Sequence, residues 1–544
     1  MERKILAIVL ALTLVMGALA GCASKPAGPS GEGPAAEPMV LRYNLADDVK
    51  TLDPQLNSVI NAGIVQVNTF EGLMRLDKND KAIPGMAEKY EVSEDGLTYT
   101  FHLRDAQWSD GEPVKAGDFE YAWKRALDPT VGSEYAFQLY YLKNGKEAYE
   151  GQVNLDEVGV KAKDDKTLEV VLESATPYFL ELTAFFTYFP VRKDMVEKDP
   201  ETWSMKPETF IGNGPFKMES YIMGDRILLV KNENYYDQGR VKLDKIELLM
   251  IGEVSTALTA FEAGDVDYID DIPSQEIERI KAEDPTFTVA PSLATYYFLF
   301  QTKKAPVNDV RVRKALSLAI DRTAITDKIL KGGQIPTGGF VPPGLYDDAG
   351  KDFRATAGNY GIDVAAAKIE EAKALLAEAG YPDGQGFPEI EFLYNTSETH
   401  KAVAEVVQEM WKKNLNINVK LANQEWAVFQ QTRSEGNFVV CRSNWFGDYA
   451  DPMTFLDLWT SYAGKNTAQW ENAEYDQLIQ DAKNSSGQER FELLYKAEKV
   501  MMEDAIVAPI YHYVDTSMIK EYVKNTRKSI LGYIYFDEAY IEGK

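Results

Sequence analysis

One aspartate of this chain is well placed to bind a charged group. Asp448 is surrounded by Trp445, Phe446 and Tyr449 in a segment that also contains Gly447. A carboxylate among aromatic side chains needs a cation to compensate for the lost hydration of its charge. We therefore expect Asp448 to pair with a positively charged group of a ligand. The alternative is a turn aspartate that hydrogen-bonds its own loop.

Short elements on either side would position this aspartate. A buried apolar strand is predicted at 438–441, and a helix over 452–459 that Asp451 would cap. Between them, 442–450 is predicted to be a loop. In that loop Gly447 would let the backbone approach a neighbour closely, because glycine has no side chain.

The chain before this segment alternates between helix and strand. The predicted elements are a helix capped by Asn308 or Asp309, a helix at 365–379, a strand at 389–394, a helix at 397–413, a strand at 417–421 and a helix at 426–434. Such alternation implies a largely parallel sheet covered by helices, with ligands expected beyond the carboxyl ends of the strands. The end of strand 438–441 is one such place.

The first 38 residues are read as an export signal and a tether. An apolar run at 5–20 has the length of a signal-peptide core and is short for a spanning helix. The run ends in Leu-Ala-Gly-Cys, which resembles the lipobox of bacterial lipoproteins. We expect a signal peptide at 1–21 and acylation of Cys22; the alternative is an ordinary signal peptide with a chance cysteine. Residues 22–38 would then be the lipidated cysteine and a flexible tether rich in Pro, Gly and Ala.

Length and charge limit the class of protein. At 544 residues the chain is too long for a single core, so two to four domains are expected. Its 85 acidic and 58 basic residues give a formal charge of -27, which argues against a nucleic-acid partner and against wide contact with an anionic membrane. The chain has 30 tyrosines and 8 tryptophans; tyrosine at this level is usually structural, but binding clefts with apolar walls and polar tips use it too.

The usual signatures of catalysis are missing from the sequence. There is no G-x-S-x-G, H-E-x-x-H, P-loop, complete G-x-G-x-x-G or EF-hand pattern. Three histidines and two cysteines leave little for a metal site, and acylation of Cys22 would leave Cys441 as a buried small hydrophobe. We expect no cofactor, no metal and no catalytic residue. A lipid-anchored hydrolase using two carboxylates stays open as the alternative, because 85 acids always offer some pair.

Several runs resemble a known family. They are Phe70-Glu71-Gly72-Leu73, the stretches at 97–104, 108–114 and 212–216, and further matches at 304–313, 393–397, 423–426 and 511–514. In this order they resemble the extracellular solute-binding proteins of family 5, the peptide-binding proteins of ABC importers. The similarity extends over essentially the whole chain after the tether.

The resemblance implies an α/β fold of the periplasmic-binding-protein type II kind, with two α/β lobes that close over ligand and an inserted accessory domain. The implied divisions are 39–71, 199–293 and 516–544 for lobe I, 72–198 for accessory domain II and 294–515 for lobe III. Two segments would cross between the lobes: a hinge entry at 291–294 leading into a strand at 295–300, and a return strand at 510–514.

The same resemblance assigns roles to individual residues. Asp448 matches the family's acceptor of the peptide's α-amino group, and the backbone around Trp445, Phe446 and Gly447 would pair with the ligand as an added β-strand. Phe446 could equally be plain core. Three further residues match positions that meet the carboxylate of peptides of differing length: Arg433, His400 and Arg442.

Each of these assignments has a simpler alternative. Arg433 could be a solvated charge at a helix end, and His400 a satisfied core histidine. Four aromatic residues would line side-chain pockets or merely pack: Trp426, Tyr135, Tyr297 and Tyr513. Where a close relative carries two acids, this chain has Ser58 and Leu299. The loss of two acids implies less bias toward lysine-rich ligands, so the relative's side-chain preference does not carry over.

The function implied is that of a substrate-binding component of an ABC importer. It would capture short peptides by their main chain and charged ends and pass them to the permease's transmembrane subunits and their ATPases. We expect a monomer, anchored by lipid on the extracytoplasmic face of the cell membrane and touching it only through that anchor. The alternative within binding proteins is another solute: a dipeptide, a nickel chelate, heme or an oligosaccharide.

Overall fold

The computed structural model describes residues 38–273, 275–347 and 349–544, apart from the side chains of Trp426 and Ala427. The predicted signal peptide, Cys22 and the tether up to residue 37 lie outside this part of the chain. Residues 39–544 form one unit. Within the described ranges, no helix has the length and apolar character needed to cross a membrane.

The unit contains 21 strands and 16 α-helices in the described residues. The strands are β1 Val40–Asn44, β2 Met74–Leu76, β3 Ala82–Pro84, β4 Ala87–Val92, β5 Thr98–Leu103, β6 Val160–Asp164, β7 Thr167–Val171, β8 Phe216–Ile222, β9 Arg226–Lys231, β10 Lys245–Leu249, β11 Tyr268–Asp270, β12 Phe287–Phe300, β13 Ile335–Pro336, β14 Ile390–Asn395, β15 Val419–Gln424, β16 Val440–Phe446, β17 Val507–Ile519, β18 Val523–Lys524, β19 Arg527–Lys528, β20 Ile534–Tyr535 and β21 Tyr540–Ile541. The helices are α1 Ile60–Thr69, α2 Ala116–Ala126, α3 Gly145–Tyr149, α4 Phe179–Leu182, α5 Lys193–Lys198, α6 Val254–Ala263, α7 Ile277–Glu283, α8 Val310–Leu318, α9 Arg322–Ala324, α10 Phe353–Ala357, α11 Ile369–Glu378, α12 Glu398–Leu415, α13 Trp426–Ser434, α14 Met453–Leu456, α15 Ala473–Lys483 and α16 Gly487–Glu503.

One eleven-stranded sheet runs through the unit in the order β15-β14-β16-β12-β17-β11-β1-β10-β9-β8, with β13 paired to β17. Its outer parts contain the parallel pairs β14–β15, β14–β16, β1–β10 and β1–β11. The central pairs β16–β12, β12–β17 and β17–β11 are antiparallel. The prediction of a largely parallel sheet is therefore confirmed for the strands from which it was made, β14, β15 and β16, and wrong for the central strands of the sheet. The physical reason is that β12 enters the half containing β14–β16 and β17 leaves it, so the two strands run in opposite directions.

A separate four-stranded antiparallel sheet, β4-β5-β7-β6, lies within the segment predicted to be the accessory domain. Segments predicted for lobe I supply β1 and β8–β11, and those predicted for lobe III supply β13–β16. The long strands β12 and β17 extend across the predicted boundaries near residues 294 and 515. The three-part division itself stays a prediction.

Alternate residues of β12 enter two different cores. Tyr296 and Phe298 are buried in a cluster with Trp411, whereas Tyr297 and Leu299 are buried in the cluster that contains Trp459. This is the period of two expected for a strand buried on both faces. The strand therefore separates a face that packs on α12 from a face that borders the cavity described below.

The segment before Asp448 is a longer strand than predicted. The expected strand at 438–441 and loop at 442–450 are replaced by β16, whose pairing with β12 runs from Phe300 opposite Val440 to Ala294 opposite Phe446. Arginine, serine and asparagine are poor strand formers, but continuous cross-strand pairing outweighs that local preference. As a result, Arg442 and Phe446 are held in a ladder.

Other predicted elements agree or differ in detail. Helices α12 and α13 lie at the predicted positions, and Asp309 caps α8 by accepting a hydrogen bond from the Arg311 amide. Helix α11 begins at Ile369 and not at 365, because the amide of Lys368 bonds the end of α8. The predicted hinge entry at 291–294 lies inside β12, at an interruption of its ladder with β17. Cys441 is fully buried, as predicted.

Candidate functional site

A cavity of about 710 Å³ lies beside β16. Its walls come from residues 137–146, from the C-terminal half of α13 with β16, and from residues 448–467. Four of the predicted site residues line it: Asp448, Trp445, Arg433 and Tyr297. A second cavity, of about 770 Å³, lies between α2 and α5. Its charges already pair within the protein, Arg125 with Asp53 and Lys124 with Glu120, so we take the cavity beside β16 as the site.

Asp448 lies at the cavity wall with its carboxylate partly buried. The Tyr135 hydroxyl donates a hydrogen bond to Oδ1 at 3.3 Å, and the backbone amide of Asp448 donates to Thr454 Oγ1 at 3.1 Å. The carboxylate thus bonds a distant segment and not its own loop, which disfavours the turn-aspartate alternative. Burial raises the pKa of Asp448 to about 7, against the lowering effect of the Tyr135 hydrogen bond and with a further raising effect from the charge of Asp457.

No cation of the described chain pairs with Asp448. Among those residues, none of the ion pairs involves its carboxylate, and the charge of Lys465 acts on it only from a distance. A group in this state gains most from an incoming positive charge, because pairing offsets the desolvation already imposed on the carboxylate. The geometry therefore leaves room for an external cation.

The helix cap after Asp448 holds the loop in place. Asp451 accepts a hydrogen bond from the Met453 amide at 2.8 Å, which confirms the predicted cap. Its two carboxylate oxygens also accept from Arg490 at 2.7 and 2.8 Å. This bidentate pair fixes the loop against α16. The expected helix over 452–459 is α14 followed by one 3₁₀ turn at Asp457–Trp459.

Gly447 brings the loop against β12 as predicted. Its amide donates to the Leu293 carbonyl at 2.8 Å, and a Cβ added at this position would lie 2.5 Å from Leu293 Cδ2. Such a distance is too short for carbon atoms in contact. The close approach expected of this glycine is therefore confirmed.

One edge of β16 is open along part of its length. On that side β14 pairs only with Val440 and Cys441, and no other described strand pairs there. Because the Gly447 amide points to β12, strand alternation turns the backbone amide and carbonyl groups of Asn444 and Phe446 away from β12, toward the open edge. An extended chain could add here as a further strand.

Arg442 is buried on the other face of β16. It is 4% exposed and donates to Asn395 Oδ1 at 3.1 Å and to the Tyr513 hydroxyl at 3.4 Å. Its guanidinium carbon lies 5.1 Å from the centre of the Tyr296 ring. In the described part of the chain no carboxylate pairs with it, and Nε has no partner. A buried guanidinium without a counter-charge is suited to bind an anion.

His400 lies beside this arginine but carries no charge near neutral pH. Burial and the charge of Arg442 lower its pKa to about 3. Its ring centre is 5.6 Å from that of Tyr296, and Nδ1 has no partner among the described residues. The alternative of a satisfied core histidine does not fit an unpartnered nitrogen. His400 can offer a hydrogen bond to a ligand, but no positive charge.

The remaining predicted residues divide between the two faces. Arg433 lines the cavity and donates to Ser443 Oγ at 2.8 Å, so it is not merely a solvated charge. Phe446 is 42% exposed and rests against the Tyr513 ring at 5.2 Å, so the plain-core alternative is wrong. The side chain of Trp426 lies outside the described residues. Leu299 is buried in the core.

The cavity wall behind Tyr297 is held by a buried glutamate. Glu498 is fully buried, accepts from the Phe340 amide at 2.8 Å and pairs with Arg354 at 2.6 Å. The Phe340 ring in turn lies 5.0 Å from Tyr297 and 5.4 Å from Trp459, centre to centre. These contacts hold the side chains of Tyr297 and Trp459 in place at the cavity wall.

Two residues at the cavity were missed by sequence reasoning. Gln138 is 2% exposed, lines the cavity, lowers the pKa of Asp448 through its side chain and has an Oε1 without a partner in the described chain. Asp457 lines the cavity as well. The sequence carried a signal for Asp457, a single acid in the apolar run Phe-Leu-Asp-Leu-Trp, but none for Gln138. No group of three or more His, Cys, Asp or Glu side chains in the described residues could hold a metal.

Comparison with known proteins covers nearly the whole chain. A family model described as bacterial extracellular solute-binding proteins, family 5 Middle, matches residues 81–467. The chain is 38% identical over 552 residues to the oligopeptide-binding protein OppA of Bacillus subtilis, covering 99% of each chain.

The chain is also similar to solved structures of peptide-binding proteins. The chain is similar to the unliganded open form of the periplasmic murein tripeptide binding protein MppA, with a TM-score of 0.78, 35% identity and coverage of 93% of this chain and 98% of that one. It is also similar to Haemophilus influenzae OppA in complex with RPPGFSPFR, with a TM-score of 0.76, 33% identity and coverage of 93% and 99%. The similarity confirms the predicted α/β fold of the periplasmic-binding-protein type II kind.

Proposed function

Because the chain belongs to the bacterial extracellular solute-binding proteins of family 5, as the sequence runs predicted, we propose that it binds short peptides for an ABC importer. Its family and relatives are binding proteins and not enzymes, so the hydrolase alternative is rejected. The ligand would be captured reversibly, and tight binding to a closed form would shift the protein toward that form.

One observation carries the proposal: within the described ranges, a carboxylate without a cation and a guanidinium without an anion stand near the two ends of an open strand edge. Asp448 follows one end of that edge and Arg442 lies at the other. Six residues of extended chain separate them by roughly 20 Å, which is the length of about six extended peptide units. The long side chain of an arginine shortens the span that a ligand must cover.

A short peptide matches all three parts of this arrangement. Its α-ammonium group would pair with Asp448, its main chain would bond the open edge at Asn444 and Phe446, and its carboxylate would meet Arg442 or Arg433. Main-chain bonds give affinity that does not depend on side chains. The relatives named as oligopeptide-binding, and the Haemophilus protein solved with RPPGFSPFR, support this ligand class.

We extend the proposal to where the protein works. Cleavage before Cys22 and acylation of its thiol would anchor it on the extracytoplasmic face of the cell membrane, with 22–38 as the tether. The formal charge of -27 would keep the folded body away from anionic headgroups. From there a monomer would deliver peptide to the transmembrane subunits of a permease and their ATPases.

Mass spectrometry of ligand released by denaturing the purified protein tests the ligand class. Recovery of short peptides would support the proposal, whereas a nickel chelate, heme or a sugar would overturn it. Peptides added to the purified protein must also raise its unfolding temperature, because a ligand that binds only the folded state stabilises that state. A separate experiment, metabolic labelling with a fatty acid in cells carrying Cys22→Ser, tests the anchor.

A further inference from the structure

Asp457 is an acid without a partner in the same cavity as Asp448. It is the first residue of the 3₁₀ turn at Asp457–Trp459 and lines the cavity. Among the described residues its carboxylate accepts no hydrogen bond and joins no ion pair. Its neighbours Leu456 and Leu458 are buried in the core. No contact within the described structure compensates for the free energy that burying this carboxylate costs.

The two acids at this end of the cavity disfavour each other's charge. Burial raises the pKa of Asp457 to about 6, with Lys483 lowering it and Asp451 raising it further. The charge of Asp457 in turn raises the pKa of Asp448. One ammonium group cannot pair fully with two separate carboxylates. A second positive charge on the ligand would therefore increase the binding affinity.

The other polar groups at this end are acceptors or lie at the rim. Gln138, nearly fully buried, lines the same cavity, and its acceptor Oε1 has no partner among the described residues. Lys146 and Lys465 line the cavity but are exposed, and neither forms an ion pair with Asp448 or Asp457 in the described chain. Arg433 is bonded to Ser443. The cavity lining thus includes two carboxylates and an amide oxygen, a set suited to ammonium donors.

We propose that Asp457 binds a positively charged side chain on the first residue of the ligand, so that peptides beginning with lysine or a similar basic residue are preferred. The inference rests on the proposed function, because it uses the α-ammonium site at Asp448 as the reference point. A lysine side chain begins one bond away from that ammonium and extends through four methylenes. Its own ammonium would enter the same cavity, where Asp457 is the second carboxylate of the lining.

Isothermal titration with three tripeptides tests this inference. The ligands are Lys-Ala-Ala, norleucine-Ala-Ala and Ala-Ala-Ala, in which norleucine keeps most of the lysine side-chain length but removes its charge. We expect the native protein to bind the lysine peptide at least ~10-fold more tightly than the norleucine peptide at low salt. Asp457→Asn should bring that ratio to within about twofold, while binding of the norleucine peptide stays within about threefold.

The matched control is Glu474→Gln, an exposed acid outside the cavity, which should leave the ratio unchanged. A native ratio near one, or an unchanged ratio in Asp457→Asn, would overturn the inference and leave the proposed function in place. Absence of binding for all three tripeptides would overturn both. Addition of salt gives a second readout: the ratio of lysine-peptide to norleucine-peptide affinity should fall, since ionic strength weakens the side-chain charge pair while the charged ends are common to both peptides.

Discussion

The hydroxyl of Tyr135 donates a hydrogen bond to Oδ1 of Asp448 at 3.3 Å, although the two residues are 313 positions apart in the chain. The contact joins a 3₁₀ segment of the predicted accessory domain to the loop after β16. Burial and the nearby charge of Asp448 raise the pKa of the Tyr135 hydroxyl, so it stays a donor at any physiological pH. A neutral donor orients the carboxylate without neutralising it, and the charge stays available for a ligand.

Asp448→Asn should remove recognition of a free amino terminus. We expect affinity for Ala-Ala-Ala to fall by about 100-fold or more, because a charge-assisted pair in a partly buried site is replaced by an amide facing an ammonium. N-acetylated Ala-Ala-Ala should bind both proteins equally and weakly in isothermal titration. Equal losses for both peptides would contradict the assigned role. Glu474→Gln again serves as the control.

Peptide binding should release a proton near neutral pH. The pKa of Asp448 is about 7 without ligand, and pairing with an ammonium must lower it. Affinity for free-amine peptides should therefore rise with pH up to about 7 and then level off, while the peptide amine stays charged. Titrations in buffers of different ionisation enthalpy should detect close to one released proton at about pH 6. Affinity that is flat from about pH 5 to 7 would be inconsistent with this linkage.

The same carboxylate should destabilise the ligand-free protein at alkaline pH. Its pKa is raised on folding, so the unfolded chain loses this proton first and the free energy of unfolding falls as pH rises from about 4 to 7. Asp448→Asn should then melt a few degrees above the native protein at about pH 8 and converge with it near pH 4. Differential scanning calorimetry without ligand measures both. A lower melting temperature of the variant at alkaline pH would contradict the assignment.

Gly447→Ala should destabilise the protein through overpacking against Leu293. The added methyl would lie 2.5 Å from Leu293 Cδ2, so one element must move, at a cost of about 1–3 kcal/mol. In a Leu293→Ala background the same change should cost at least about 1 kcal/mol less, which a double-mutant cycle of urea unfolding would show. Gly464→Ala, where an added Cβ meets nothing within 4 Å, is the control. Additive effects of the two changes would argue against the contact.

Arg442→Gln should weaken binding of peptides with a free carboxylate. Glutamine keeps a donor for Asn395 but removes the charge that has no counter-ion in the described chain. We expect a loss of about 10-fold or more for an alanine peptide of about six residues, whose length matches the span from Asp448, and little change for its C-terminal amide. Arg433→Gln in parallel shows which arginine meets the carboxylate. Equal loss for acid and amide in both variants would reject carboxylate recognition.

Sequence alone predicted the helices of the second half well and its sheet less well. Helices α12 and α13 have strong periodicity and a clear cap at Ser397, so local signals sufficed. The direction of β12 relative to β16 depends on the chain crossing from the other half of the sheet, and no local pattern records that. The strand continues through Arg442 for the same reason, since its partner is about 145 residues away.

The candidate site was predicted in part. Asp448 stood out because a carboxylate among aromatic residues needs a cation as partner, and the cavity wall at Trp445, Arg433 and Tyr297 followed from the family resemblance. Gln138 could not be found, because a buried amide acquires its role only when a distant segment folds against Asp448. Arg442 and the Arg433 side chain lie on opposite faces of β16, because Arg433 bonds Ser443 and successive side chains of a strand point to opposite faces. This could not be predicted while 442–450 was taken to be a loop.

The ladder between β12 and β17 is interrupted between Pro291 and Thr295. This is the one place in this pairing where three successive residues of β12 have no partner in β17. If one half of the eleven-stranded sheet rotated against the other, the backbone torsion angles would change mainly at this interruption, because the paired stretches on both sides resist twisting. Leu293, whose carbonyl accepts a hydrogen bond from the Gly447 amide, lies within this interruption. Movement at the interruption would be transmitted directly to the backbone that carries Asp448.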